Sequence, residues 1–469
     1  MAVELTGTTL SVAELLRVAR DGERVELGAG VAERVAAGRS IVERALAGEE
    51  TVYGLTTGVG VRKRTHVDPA ELAEFNRRLV LEHRVGQGDP APQEVVRAQL
   101  LLIANGFARG SAGVRMELLE RLVERLNDAS APEVRSLGSI GMADLPQNAD
   151  LAAGVLDGFE LAAKEGLALL SSNAYSTALA ALAVADTERL LDALDVCAAL
   201  DLEALAGSTA PLDARFRALL SGSYLFAHEP RSLQDPLSFR CVSEVHAAAR
   251  AAVEYARARV EHELNRSQEN PFVDIEGGRI VATASFDSIA LAAALDFARI
   301  GLAPVLTAAS ERTIKLLQSP VTGLPEGLAA EAGLAESGLS EFGVPVQALA
   351  AEAKLLTQPV SVETASTSHH EGIEDRITLA PLSARRLASM VELAERLAAI
   401  ELAVAAQAVD LRGSPRLGAA TGPLYAQVRK LVPATGKGEP PPQDLEAVRA
   451  LVQRGLPPTS GVRPQKRAD

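Results

Sequence analysis

Apolar residues recur at helical spacing over stretches of about thirty residues in this chain, at about 173–205, 235–266, 288–317 and 379–411. In the last of these, Leu387, Met390, Val391, Ala394, Leu397, Ala398 and Leu402 fall at i, i+3, i+4 and i+7, a single stripe of a 3.6-residue period. Helices of this kind bury their stripes against one another, so the expected fold class is mainly α, a long central helical bundle. The residue types agree. Hydrophobic residues are 47% of the chain, yet aromatics are 3% and Trp is absent. Ala and Leu carry the apolar content, and both favour helix over strand. A large β-sandwich or barrel is not expected. Ile289 to Leu295 and Leu402 to Ala406 are apolar around the whole helix, which places them in the middle of a bundle or in an oligomer interface.

Shorter helices are expected at about 32–47, 69–84, 92–105, 112–128, 150–170, 211–220 and 342–356. Residues 317–345 and 357–376 interrupt the helices with Gly, Pro and polar residues. The expected organisation is a loop-bearing, active-site region at 1–150, a long-helix bundle at 151–432 and a weakly packed C-terminal appendage at 433–469 with a mobile tail. A net charge of −14 argues against broad binding to nucleic acid or an anionic membrane. Cys197 and Cys241 are too few for a disulfide framework and have no neighbours at metal-ligand spacing. Apolar runs are broken by Asp or Arg before about 18 residues accumulate, so no membrane span is expected. With no signal pattern at the N-terminus, a cytoplasmic protein is the simple expectation.

Nucleotide and nucleophile motifs are absent: no Gly-x-Gly-x-x-Gly after a strand, no Walker A loop, no Gly-x-Ser-x-Gly elbow. His369 and His370 are adjacent and would point about 100° apart on a helix, a poor metal pair. No metal and no cofactor are expected. The loops are more informative. Gly54, Gly58 and Gly60 prevent a stable helix at 53–61, a second Gly-containing turn lies at 138–141, and a polar stretch covers 361–376. Long helices carrying such loops read as a scaffold that presents them to one site.

Several segments give a resemblance. Tyr53-Gly-Leu-Thr-Thr-Gly-Val-Gly60, Arg78-Leu-Val-Leu-Glu-His83, Asn105-Gly-Phe-Ala-Arg-Gly-Ser-Ala-Gly113, Ala163-Lys-Glu-Gly-Leu-Ala-Leu-Leu170, Leu233-Gln-Asp-Pro-Leu-Ser-Phe-Arg-Cys241, Asn270-Pro271 and Glu311-Arg312 stand in order along the chain. Together they resemble the aromatic amino-acid ammonia-lyases, the histidine/phenylalanine ammonia-lyase family, from about residue 5 to 412. The resemblance implies a mainly helical fold of the fumarase/aspartase type and a homotetramer whose sites are shared between subunits. The signature loop of fumarase and aspartase themselves has only a faint echo at Gly138 to Asn148, without its Lys.

One departure bears on the chemistry. The family forms its electrophile, methylidene-imidazolone, by cyclising and dehydrating its own Ala-Ser-Gly. Here the run is Gly138-Ser139-Ile140-Gly141-Met142-Ala143-Asp144-Leu145, with Met142-Ala143 where three residues should be. Ser139-Ile140-Gly141 has a Gly in third place, but Ile140 has nothing to eliminate. The surrounding positions differ too: Ser171 stands for the family's Asn, Leu237 for its Tyr and Asp287 for its His. A stretch usually present before the Lys164-Glu165 helix is missing, and the late loop is rearranged around Glu371 and Glu374. Other positions match. By resemblance Tyr53 is the base and Arg240 holds the substrate carboxylate, a role suited to its planar fork. His83, Asn270 and Gly60 belong around the site, with Glu371, Glu374 and His83 as further acid–base candidates. The structural alternatives are an ion pair inside the bundle for Arg240, a packing role for Tyr53 and a satisfied helix histidine for His83.

Without the electrophile, ordinary deamination of an aromatic amino acid loses its activation. What remains is Tyr-based acid–base chemistry on a small, anionic, carboxylate-bearing substrate: elimination of a self-sufficient leaving group, as from a betaine, or conjugate addition, cyclisation or isomerisation. The alternative is an inactive homologue kept as a binding or assembly protein, for which Tyr53 and Arg240 would be dispensable.

Overall fold

Four long helices dominate the computed structural model: Ala174–Leu205, Val242–Asn265, Ile289–Leu316 and Ala380–Leu411. The structure describes residues 2–48, 50–128, 131–362 and 375–455. Each long helix lies close to its expected span, because Ala, Leu and charged residues fill these stretches. Pro304 sits inside the Ile289–Leu316 helix. The strands among the described residues are three or four residues long and pair in twos. Val3–Leu5 runs parallel to Val25–Leu27, Gln87–Pro90 antiparallel to Arg135–Leu137, and Phe272–Asp274 antiparallel to Arg279–Val281. The mainly helical class holds.

The chain forms two compact units. The first comprises residues 1–184, 256–296 and 359–385, the second 185–255, 297–358 and 386–469. The divisions fall inside all four long helices. In the first unit, Ile41, Val42, Ala45, Val52, Leu55, Ala163 and Val273 form one buried cluster. Leu79, Ala149, Leu167 and Leu170 form another, against which Tyr53, Val59 and Leu145 pack. In the second unit, Leu190, Leu194, Val253, Leu302, Val305, Leu397 and Leu402 are among the buried apolar residues.

Three expectations need correction. The single helix at 150–170 is two, Leu145–Val155 and Glu165–Leu170. The link between them turns at Gly158 (φ +72°) and at Lys164, whose φ of +75° is unusual for a residue with a side chain. The C-terminal helix Glu446–Gln453 is not loosely attached: Val448, Leu451 and Val452 are buried, and Arg449 pairs with Glu392 and Glu395 at 3.4 and 3.5 Å. The third concerns apolar length. Glu165–Leu205 and Ile289–Leu316 contain windows long and apolar enough to cross a membrane, but the first window is 89% buried in the protein and the second 56%.

Candidate active site

Tyr53 sits in a loop that its own threonines close. Thr56 Oγ1 accepts the Val52 N–H at 2.8 Å and donates to the Glu50 carbonyl at 3.1 Å. The Val67 N–H donates to the Thr56 carbonyl, and the Gly58 N–H to the Thr65 carbonyl. Gly54 is required twice over: its φ is +67°, and a Cβ there would collide with Leu167 Cδ2. The result is a tyrosine whose ring packs on Leu167 and its neighbours while its phenolic oxygen accepts the Gly60 N–H at 2.9 Å. Two expected site residues, Tyr53 and Gly60, therefore meet directly. A backbone N–H aimed at the phenolic oxygen serves a phenolate better than a phenol.

The 138–145 loop is fixed by hydrogen bonds from several sides. The Ser139 hydroxyl donates to Asp144 Oδ1 at 2.5 Å and accepts the Gly141 N–H at 3.0 Å. Thr378 and Ser288 donate to the Gly141 carbonyl at 2.8 and 3.0 Å, and the Ala143 N–H donates to Asn173 Oδ1 at 3.0 Å. Ala143 has φ +62°. Asp144 is fully buried and also accepts the Ser176 hydroxyl and N–H at 2.6 and 2.7 Å. Burial pushes its carboxyl above the usual carboxylate range, and these donors oppose the rise. Met142 forms an antiparallel bridge with Asp287, so two of the residues that depart from the family pattern are neighbours. The Asp287 carboxylate is already engaged: Oδ1 accepts the Ile289 N–H at 3.0 Å, and Oδ2 accepts Arg376 Nε at 3.0 Å.

A buried charged group lies at Ser171. Lys164 Nζ is 4.0 Å from Glu269 Oε2 and donates to the Ala112 carbonyl at 2.6 Å, while the Ser171 hydroxyl donates to Glu269 Oε2 at 3.5 Å. Burial raises the Glu269 carboxyl to about 7 against the attraction of Lys164, and burial lowers the Lys164 ammonium against the attraction of Glu269. The adjoining Asn270 is tied down by Thr283, whose N–H donates to Asn270 Oδ1 at 3.0 Å and whose hydroxyl donates to the Glu269 carbonyl at 2.6 Å. The Asn270–Pro271 bond is cis. Sequence reasoning missed Glu269, Asp144 and Asn173. The available signals were position, Glu269 directly before Asn270-Pro271 and Asp144 directly after Met142-Ala143.

His83 caps the C-terminal end of the Leu72–Glu82 helix. Its Nδ1 lies 2.7 Å from the Leu79 carbonyl; a carbonyl only accepts, so Nδ1 is the donor. In the second unit, Arg240 ends the short helix Leu237–Arg240 and donates its Nε to the Asp235 carbonyl at 2.8 Å. Leu237 is 65% exposed. Both line an open groove of about 460 Å³. Tyr53, Gly60, His83, Met142, Ser171, Asn270 and Asp287 belong to the first unit, Arg240 and Leu237 to the second. Glu371 and Glu374 lie outside the described residues, as do His369 and His370. Among the described residues, no group of three or more His, Cys, Asp and Glu is placed to hold a metal ion.

Comparison with known proteins gives one consistent result. The sequence model of a family described as aromatic amino acid lyase matches residues 10–158 and 151–430. Histidine ammonia-lyase of Stigmatella aurantiaca is 34% identical, covering 97% of this chain and 96% of that protein. Among solved structures, the ergothioneine-degrading enzyme ergothionase of Treponema denticola, in complex with desmethyl-ergothioneine sulfonic acid, has a TM-score of 0.91 at 27% identity, covering 97% of this chain and 99% of that one. Tyrosine aminomutase of Streptomyces globisporus has a TM-score of 0.89 at 28% identity, covering 97% of each chain.

Proposed function

Because this chain belongs to the aromatic amino acid lyase family, we propose that it is a lyase that expels a tertiary amine from a small carboxylate-bearing betaine, with no electrophile of its own. The observation that carries this reading is the 138–145 loop. Its one hydroxyl, Ser139, is followed by Ile140 rather than Gly, and that hydroxyl locks the turn through Asp144 and Gly141. These residues do not fit methylidene-imidazolone formation, which needs a Ser followed by a Gly.

A leaving group that needs no covalent activation resolves the difficulty. In a trimethylammonium betaine the nitrogen already carries full positive charge. The base removes a proton from the carbon next to the C–N bond, that pair becomes the new C=C bond, and the C–N pair departs with the nitrogen as neutral trimethylamine. The base in this reading is the Tyr53 oxygen, served by the Gly60 N–H; the proton it gains passes to solvent after product leaves. Arg240 orients the carboxylate through its terminal nitrogens. Ergothioneine, which the Treponema denticola relative degrades, is a trimethylammonium betaine and the first substrate to offer. The test is amine release from ergothioneine and from histidine side by side: trimethylamine from the former and no ammonia from the latter supports the reading, and the reverse result sinks it.

The reading includes a homotetramer with shared sites. Its support is the Ile289–Leu316 helix, strongly apolar yet only 56% buried over its most apolar window. Phe297 and Ile300 on that helix are 48% and 45% exposed, a face suited to another subunit.

A further inference from the structure

The groove beside Arg240 holds a second guanidinium that no known role explains. Arg231 lines it together with Ser232, Gln234, Asp235 and Leu237. It is exposed, on the loop that leads into the Leu237–Arg240 helix. Arg231 lies over Gly323, which has φ +68°, and a Cβ on Gly323 would collide with Arg231 Nη1 and Cζ. Leu205, which also lines the groove, and Thr322, next to Gly323, accept from Arg412 through their carbonyls at 2.7 and 2.9 Å.

Among the described residues, neither Arg231 nor Arg240 has an ion-pair partner. The one carboxylate in the lining, Asp235, is turned to the backbone and accepts the Ser208 N–H at 2.7 Å. Arg240 uses Nε on the Asp235 carbonyl, which leaves its two terminal nitrogens for one oxyanion. Arg231 keeps its whole fork. Two guanidiniums lining one groove favour a ligand that brings anionic charge, and each fork matches one carboxylate- or sulfonate-sized group.

We propose that this groove favours a substrate with two anionic groups, Arg240 holding the carboxylate, which ergothioneine also has, and Arg231 a second anionic group, which ergothioneine lacks. The ligand class is a dicarboxylate or a carboxylate–sulfonate. This rests on the reading of Arg240 as the substrate clamp and narrows the substrate class of that same site.

The experiment is calorimetric binding of succinate and of butyrate, acids of equal carbon count and different charge, to the purified full-length protein. Succinate should bind roughly tenfold or more tightly, the worth of one charge-assisted pair. Arg231→Gln should erase that preference while butyrate binding stays unchanged; Arg240→Gln should weaken both acids. Equal affinity of the parent for the two acids, no binding of either, or an Arg231→Gln variant weakened equally for both would each overturn the assignment. A circular dichroism spectrum matching the parent's verifies that each variant is folded. Failure of the amine-release reaction with the succinate preference intact would sink the elimination and leave the dianion site standing.

Discussion

Tyr53 has the most sharply defined environment of the candidate site residues. Its ring packs with Leu167 and its neighbours, and its oxygen accepts the Gly60 backbone N–H. Tyr53→Phe removes the oxygen and keeps the ring, so the thermal midpoint should stay close to the parent's. Turnover should fall by roughly 10²–10⁴-fold if the phenolate is the base. A Phe variant with near-full activity would move the search for the base to His83, Glu371 and Glu374. Glu269 makes a different prediction, about pH. Its folded carboxyl is raised from an ordinary 4.5 to about 7, so the stability of the protonated form is complete below about 4.5 and is lost as pH rises to about 7. The charged or donor groups around the pair are Lys164, Arg39 and the Ser171 hydroxyl. Glu269→Gln cannot ionise. The parent should therefore lose stability relative to Glu269→Gln as pH climbs through that window, read from denaturant midpoints; parallel profiles would show that Glu269 ionises freely in the fold.

Among the elements, the long helices carry buried charge as well as apolar stripes. In the second unit, Arg312 Nε contacts Asp201 Oδ2 at 2.7 Å and its Nη2 contacts Glu401 Oε1 at 2.7 Å, with all three side chains fully buried. Burial and Glu401 push the Asp201 carboxyl well up. Arg312→Met would leave two acids facing each other out of water, at an expected cost of about 3–5 kcal/mol, measured by denaturant unfolding at fixed protein concentration. A loss under about 1 kcal/mol would mean that the two acids hold protons and need no cation. This triad also shows where sequence legibility ends. The helices themselves were legible, because periodicity and Ala/Leu content mark a bundle directly. The Tyr53 loop was legible because three glycines forbid a helix. The Arg312 contacts were not, since a charged residue on a long helix reads the same whether it meets solvent or another helix. The break at 156–164 was hidden for a related reason: Lys164 and Glu165 look like helix surface, yet Lys164 takes a left-handed backbone and both side chains are buried. Glu269 and Asp144 were missed because their burial depends on contacts far away in the chain.

At the scale of the whole molecule, the exposed apolar residues of the Ile289–Leu316 helix and the shared-site proposal predict assembly. Light scattering on the purified protein should give about four times the 49.1 kDa chain mass; a clean monomer at micromolar concentration would remove both the tetramer and sites built between subunits. The family resemblance was legible from seven ordered motifs, and the match over residues 10–430 bears it out. The second guanidinium of the groove was not legible, because Arg231 lies against Gly323, far away in sequence. The central claim is that elimination proceeds without an electrophile formed from the chain. Its most direct test is trimethylamine release from ergothioneine by protein treated with borohydride, with an intact mass taken on the same sample. Undiminished turnover and a mass equal to the translated sequence are the predicted results. Activity abolished by borohydride, together with a mass short by two waters localised to the peptide spanning Gly138–Leu145, would contradict it.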